Sequence, residues 1–536
     1  MPADTAAYRP LREGFRWSLP ARFNIAEACC TRYARSEPAR PALLRYLPDG
    51  SLEPVTYGAL EEESARLATA LREHGIRRSD RVAILLPQSP ETVAAHFAAY
   101  RLGAIALPLA ALFGPDALRY RLAEAGASAI VTNADGLAKL AAIRADLPAL
   151  ATVICTDGPA GDAEGYREAL AASKPFATAE ATTPDDPALM IFTSGTTGQP
   201  KGALHGHRVL PGHLPGFAFT HTPFPSAGDR LWTPSDWAWA GGLLNALLPS
   251  LFHGTPVVFG PFRPFDPDEA LALMAKAEVR NAFLPPTALK MMRGSDPARY
   301  DLKLRTIGAA GESLGREAFV WAKEKLGLPV NEFYGQTECN YVIGSSAALG
   351  VSRAGAIGKP IPGHDVTLLD EAGREVPDGV AGQIAVRRPD PVMFLGYWNQ
   401  PEATAAKFLG DWMLTGDQAI RDSDGYIRFI GRDDDVIISA GYRIGPAEIE
   451  DCLLAHPTVA MAAAVGKPHP VRTEIVKAFI VLKPGFERSD RLAEEIRLFV
   501  RARLSAAEYP REIAFVDEIP MTTTGKVVRR ALRELA

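Results

Sequence analysis

Over its first 350 or so residues the chain alternates short apolar runs with amphipathic stretches. Mostly apolar runs of four to six residues lie at 81–86 (RVAILL), 104–109, 128–131, 152–155, 188–192 and 255–259. Strands buried on both faces read this way. Residues 91–102 and 266–277 read as helices. Strands alternating with helices predict a largely parallel α/β sheet covered on both faces. Residues 160–187 are rich in Ala, Gly, Pro and charge, and are expected to be a surface connection.

Beyond about residue 350 the pattern changes. Strand-like pieces at 365–369 and 383–386 are separated by turns such as Glu371-Ala372-Gly373 and Asp422-Ser423-Asp424-Gly425. This predicts an antiparallel β region. A charged knot, Arg432-Asp433-Asp434-Asp435, precedes a helix opening at Gly445-Pro446, where proline suits the first turn. Strands near 459–465 and 475–482 and a helix over 490–504 complete a compact α+β domain.

Composition narrows the class. The 536 residues are 47% hydrophobic and 23% charged, an ordinary globular profile. With 58 basic and 63 acidic residues the formal charge is −5, which argues against nucleic acid or an anionic membrane as the main partner. Five cysteines, none in a CxxC pair, indicate neither a disulfide framework nor a zinc site and fit a reducing cytoplasm. The first 17 residues carry scattered charge, unlike a secretory signal. The most membrane-like stretch, 92–115, contains His96 and Arg101 and is broken by Gly103 and Pro108, so no membrane span is expected. His205 and His207 lack acidic or cysteine neighbours in ligand spacing, so a metal site there is not expected.

The strongest local signal is Thr193-Ser194-Gly195-Thr196-Thr197-Gly198-Gln199-Pro200-Lys201-Gly202, after the strand-like run 188–192. Glycines let backbone N–H groups approach an anion, and hydroxyls and one lysine add hydrogen bonds and charge. A polyphosphate needs this from a loop. It is not a Walker loop, because Pro200 stands where the glycine before lysine belongs. Taken alone, such a loop is equally a flexible polar turn.

The segment resembles the phosphate-binding loop of adenylate-forming enzymes, and the resemblance continues in order from about Phe23 to Leu535. Gly308-Ala309-Ala310-Gly311-Glu312-Ser313 resembles the family's adenine-binding loop. Phe333-Tyr334-Gly335-Gln336-Thr337-Glu338 resembles its central motif. Thr415-Gly416-Asp417 and Gly431-Arg432-Asp433-Asp434 resemble its ribose-binding pair and hinge. Ser439-Ala440-Gly441-Tyr442-Arg443-Ile444-Gly445 and Thr524-Gly525-Lys526 resemble its mobile-domain motifs. Ordered motifs of this number are far more specific than any one of them. The wording of 434–446 and 471–479 is similar to medium-chain acyl-CoA synthetases, with Ser439-Ala440 and Pro520-Met521-Thr522 as modest departures.

The resemblance implies a large N-terminal domain, 1–432, of two α/β sheet subdomains plus an antiparallel β region, and a small mobile α+β domain, 433–536. It implies ATP, Mg²⁺ and coenzyme A as cofactors and a small carboxylic acid as substrate, with the chain a monomer or homodimer. Lys526 would be the catalytic lysine, Thr337 would meet the α-phosphate and Glu338 would hold Mg²⁺. Asp417 would accept from both ribose hydroxyls, assisted by Arg432. Gly441, with Tyr442 and Arg443, would border the pantetheine tunnel, and Asp434 would be the hinge. Transfer of the acyl group to a carrier protein, or an inactive nucleotide-binding homologue, are the rival readings. No G-x-G-x-x-G supports a Rossmann-type oxidoreductase.

Trp239, Gly241, Gly242 and Gly335 are the implied acyl-pocket wall, with Val342 and Ile343 deeper. Acetate-specific relatives carry tryptophan where Gly335 stands, so glycine is expected to leave space for acids of about four to eight carbons, aryl forms included.

Overall fold

The computed structural model describes residues 7–176, 178–193, 199–260, 264–432, 435–439, 442–469, 473–504, 509–522 and 526–536. Two large sheets organise the first part. One has eight strands, with Arg81–Leu85, Ile105–Pro108, Ala129–Thr132 and Thr152–Cys155 parallel at its centre. The other has nine, with Val257–Phe259, Leu231–Trp232, Asn281–Phe283, Thr306–Ala309 and Val330–Tyr334 parallel at its centre. Antiparallel strands occupy edges of both. The apolar runs form strands that are buried on both faces because helices cover both sides of each sheet.

A single core joins the two sheets. It includes Leu43 and Val257 of one, Val82, Ala106 and Ile191 of the other, and Leu67, Phe97 and Tyr100 from the helices Tyr57–Glu73 and Pro90–Arg101 between them. The second helix starts cleanly: Ser89 accepts from the Thr92 N–H at 3.2 Å, and Pro90 fills the first position. The membrane-like stretch thus becomes this helix and the strand Ile105–Pro108. Among the described residues no helix is long and apolar enough to cross a membrane.

The antiparallel region is a five-stranded sheet in which Ala381–Arg387, Trp412–Arg421 and Ile427–Arg432 are neighbours. The C-terminal domain has its own sheet, in which the central strand Thr473–Leu482 pairs with Val459–His469, backed by the helices Pro446–Leu454 and Asp490–Arg503. Its core gathers Ile449, Leu453, Ala464, Ala478, Ile496 and Val500.

One expectation fails. Residues 160–187 are not simply a surface connection. They hold the edge strand Glu164–Gly165 and the helix Tyr166–Ala172, whose Tyr166 is buried and donates its hydroxyl to Glu63 at 2.7 Å. The apolar face Tyr166, Ala169, Leu170 has helical spacing but is too short to stand out among glycines and prolines.

Candidate active site

The strands Thr306–Ala309 and Val330–Tyr334 end at a cavity of about 1150 Å³, whose other walls come from the antiparallel sheet and the C-terminal domain. Ligands of open α/β sheets bind in such a place, outside the carboxyl ends of the strands.

Asp417 forms one polar node. It lies on Trp412–Arg421, directly across the ladder from Arg432. Its Oδ2 accepts from the Tyr334 hydroxyl at 2.5 Å and from Gln336 Nε2 at 2.6 Å. Gln336 Nε2 also donates to the Thr415 carbonyl at 2.9 Å. Burial raises the Asp417 carboxyl above its ordinary value, against Tyr334, Arg432, Gln336 and Lys407, which favour the charged form. Tyr334 and Gln336, 83 and 81 positions away in the chain, thus meet the Asp417 carboxylate beside Arg432 of the neighbouring strand.

Glu338 forms a second node. The Tyr397 hydroxyl donates to its Oε1, and the Lys201 ammonium lies over the Tyr397 ring, 5.1 Å from its centre. Tyr397 is brought here because Gly396–Tyr397 pairs with Gly202–Gly206, the strand after the phosphate-type loop. The base of that loop is closed by the Thr193 N–H donating to the Lys201 carbonyl at 2.9 Å, and both residues line the cavity.

Residues 311–315 form a third wall. Gly311 has φ +99, a conformation that suits glycine, and Glu312 Oε1 accepts from the Thr287 hydroxyl at 2.5 Å. Ser313 lines the cavity beside them. Behind the loop, Glu332 Oε1 accepts from the Leu314 N–H at 3.1 Å. Burial pushes the Glu332 carboxyl up to about 7, against that N–H, which favours the charged form.

Lys526 enters from the C-terminal domain. Its loop is tied by the Lys526 N–H donating to Thr522 Oγ1 at 3.0 Å and the Thr522 N–H donating to the Lys526 carbonyl at 2.7 Å. Desolvation lowers its ammonium from the ordinary lysine value, while Glu312, Asp417 and Glu338 oppose that and Arg432 adds to it. The side chain stands exposed in the cavity, so water there tempers the desolvation that protein on all sides imposes. Four implied site residues of the N-terminal domain therefore act electrostatically on one lysine from near the chain's end.

Comparison with known proteins identifies this arrangement. The profile of the AMP-binding enzymes matches residues 30–398, and that of the AMP-binding enzyme C-terminal domain matches 448–526. The chain belongs to the AMP-binding enzymes. It is 34% identical to an acetyl-coenzyme A synthetase of Bacillus subtilis (strain 168), over 96% of this chain and 90% of that protein. It is 33% identical to the mitochondrial acyl-coenzyme A synthetase ACSM4 of Homo sapiens, over 96% and 91%. Among solved structures, an anthranilate CoA ligase in complex with anthranoyl-AMP superposes with a TM-score of 0.89 at 28% identity, over 97% of this chain and 98% of that one. A benzoate CoA ligase from Burkholderia xenovorans LB400 gives 0.82 at 30%, over 95% and 100%. This AMP-binding enzyme is an AMP-forming acid–CoA ligase that uses ATP and coenzyme A.

Magnesium fits the site on one carboxylate. Among the described residues no group of three or more His, Cys, Asp or Glu side chains is placed to hold a metal. Glu338, oriented by Tyr397, suits an ion that takes one or two carboxylates and completes its shell with phosphate oxygens and water.

The acyl wall differs from expectation. Gly335 lines the cavity but leaves no open space, because a Cβ there would collide with the Tyr341 nitrogen and the Asn340 backbone. It is glycine because another backbone passes against it. Trp239, Gly241 and Gly242 do not line the cavity. Trp239 packs edge-on against Phe113, ring centres 5.6 Å apart. A Cβ on Gly241 would sit 3.0 Å from the Phe283 ring, and one on Gly242 would collide with the Asp236 carbonyl. Phe283 in turn packs on Phe333, 5.6 Å between centres, so Gly241 stands behind two aromatic rings, of which only Phe333 lines the cavity. Val342 and Ile343 belong to another core, with Val386 and Met393.

Ser194, Gly195, Thr196, Thr197, Gly198, Asp434 and Gly441 lie outside the described residues. Tyr442 and Arg443 open the strand Tyr442–Ile444. Sequence reasoning missed Glu332 and Tyr397. The available signals were slight: Glu332 stands two residues before Tyr334, on the same strand face, and Tyr397 follows a glycine in Gly396-Tyr397-Trp398.

Proposed function

We propose that the enzyme activates a short- or medium-chain, branched or aryl carboxylic acid in two half-reactions within this cavity. Residues 1–432 form the adenylation domain and 433–536 move between the steps. The acid's carboxylate attacks the α-phosphate of ATP, giving an acyl adenylate and releasing pyrophosphate, and the thiol of coenzyme A then takes the acyl group and releases AMP. The observation that carries this reading is the presence of Lys526 in one cavity with Glu312, Glu338 and Asp417.

In the first half-reaction Lys526 holds the acid's carboxylate against the α-phosphate. It offsets the negative charge that grows there, where a compact ammonium serves best. Thr337 donates its hydroxyl to the same phosphate, and Lys201 faces the outer phosphates. Asp417 accepts from the ribose hydroxyls. Glu338 would hold the magnesium ion. In the second, rotation of the C-terminal domain about the Asp434 segment replaces Lys526 with the Gly441 loop, which admits the thiol. The acids named for the similar proteins run from acetate to benzoate and anthranilate, and Phe333 at the cavity wall supports an apolar or aromatic acyl group. Five free, buried cysteines support a reducing compartment such as the cytoplasm.

The test is a panel of acids assayed by ATP–pyrophosphate exchange and by CoA-dependent AMP release, with Lys526→Ala beside the wild type. The variant should lose exchange by several powers of ten, each about 1.4 kcal/mol of lost stabilisation being tenfold. Thioester formation from supplied acyl adenylate should survive. Equal loss in both would remove the two-arrangement reading, and exchange without CoA-dependent AMP release would favour a carrier-protein acceptor.

A further inference from the structure

The helix Arg316–Lys325 begins without a cap of its own. Its preceding residue, Gly315, has no side chain to accept from the first turn. A helix start leaves such N–H groups unsatisfied unless an oxygen is supplied from elsewhere. Here the oxygen comes from the C-terminal domain. Asp451, on the helix Pro446–Leu454, accepts the Arg316 N–H on Oδ2 at 3.0 Å. Its other oxygen lies so close to Gly315 that a Cβ there would collide with it, and Gly315 also has φ +77. A side chain at 315 would be strained and would expel the aspartate.

The same loop is held from below. Glu332 takes the Leu314 N–H, and two residues later Asp451 takes the Arg316 N–H. Gly311, Glu312 and Ser313 line the cavity beside these anchors, and Glu332 and Asp451 themselves reach its wall. Burial raises the Asp451 carboxyl above its ordinary value and Glu317 adds to that, while the Arg316 N–H, Lys290 and Arg293 favour its ionised form. Lys526 belongs to the same domain as Asp451.

We propose that Asp451 is a positioning residue for the first half-reaction: it caps the helix Arg316–Lys325 from the other domain, and so holds residues 311–315 and the Lys526 loop in register with one another. The inference rests on the reading in which the C-terminal domain moves between the steps. When that domain rotates, the helix loses its cap, so the cap favours the arrangement with Lys526 in the cavity and contributes nothing to thioester formation.

The experiment measures both half-reactions in Asp451→Ala, Asp451→Asn and Lys526→Ala, with circular dichroism to confirm folding. Loss of a cap corresponds to about 2- to 30-fold. We expect Asp451→Ala to lose acid-dependent ATP–pyrophosphate exchange by that factor, with thioester formation from supplied acyl adenylate unchanged or faster. Asp451→Asn retains an acceptor and should recover most of the exchange rate. Equal loss in both half-reactions, no loss in either, or failure of Asn to do better than Ala would overturn the cap. Lys526→Ala separates the two ideas. If it splits the half-reactions and Asp451→Ala does not, only the cap is wrong. If Lys526→Ala does not split them, the moving-domain reading fails and the cap loses its role with it.

Discussion

The Tyr397 hydroxyl donates to the Glu338 carboxylate while the Tyr397 ring lies beneath the Lys201 ammonium, 5.1 Å from its centre. One side chain thus joins the residue that would hold the metal to the lysine at the end of the phosphate-type loop. The hydroxyl fixes the carboxylate's orientation, and the ring face attracts the cation.

Tyr397→Phe separates those two effects, because it keeps the ring and removes the hydroxyl. A hydrogen bond to a charged group contributes about 1.5–3 kcal/mol, so kcat/KM for ATP should fall roughly tenfold or more. Added magnesium should restore part of it. Pyrophosphate exchange measured across a magnesium titration decides the matter, and a magnesium dependence identical to wild type would remove Tyr397 from the metal's surroundings.

Asp417→Asn tests the ribose node. Tyr334 and Gln336 both donate to Oδ2, so the asparagine oxygen can take that place and accept from both, which puts its NH₂ where the second carboxylate oxygen would accept from a ribose hydroxyl. A buried group left unsatisfied costs about 1–3 kcal/mol. ATP KM should rise about ten- to a hundredfold with the fold intact. AMP binding by calorimetry should weaken in parallel, and unchanged AMP affinity would place the ribose elsewhere.

The parts of this site that sequence reveals are those built from consecutive residues. Tyr334, Gln336, Asp417 and Lys526 stand in ordered motifs, and each meets the cavity. The parts it hides are made by distance or by backbone. Tyr397 reaches Glu338 across 59 positions, and Asp451 reaches Arg316 across 135. Glu332 looks like any strand carboxylate until burial makes it exceptional. Gly335 misled for a different reason: a missing side chain reads as free volume, yet residues 340–341 fill it. The fold was more legible where buried strands are nearly continuous apolar runs, as in Arg81–Leu85 and Ile105–Pro108.

Glu332 should make stability depend on pH in a defined window. Burial raises its carboxyl from 4.5 to about 7. Between those values the folded chain holds a proton that the unfolded chain releases. The resulting stabilisation is complete below pH 4.5 and is lost as pH rises through 7. Glu332→Gln keeps the shape and does not titrate. Its stability relative to wild type should therefore increase with pH, by on the order of 2 kcal/mol between pH 5 and 8. Buried histidines such as His205 and His207, lowered by burial to about 3, titrate alike in both proteins and cancel in the difference. Denaturant melts at the two pH values check this, and a difference independent of pH would mean that Glu332 stays ionised in the fold.

Gly335 carries the last expectation, and the structure reverses the one its motif suggests. By motif alone, Gly335→Trp should fill an open acyl pocket and turn the enzyme toward acetate. The backbone leaves no such opening, and the segment against it is held on several sides. Asn340 Nδ2 donates to Asn245 Oδ1 at 2.8 Å. The Tyr341 ring stacks on Phe333 with centres 3.9 Å apart and planes 6° from parallel. Tyr341 itself has φ +65, a conformation a bulky residue adopts only when its surroundings impose it. Even Gly335→Ala should therefore cost about 1–3 kcal/mol, as overpacking does. Gly335→Trp should lose activity with every acid, acetate included, and melt at a lower temperature than Gly335→Ala. Melting curves together with rates on acetate, butyrate and benzoate test this. A Gly335→Trp protein as stable as wild type and shifted toward acetate would show that residues 340–341 give way and that Gly335 sets acyl size after all.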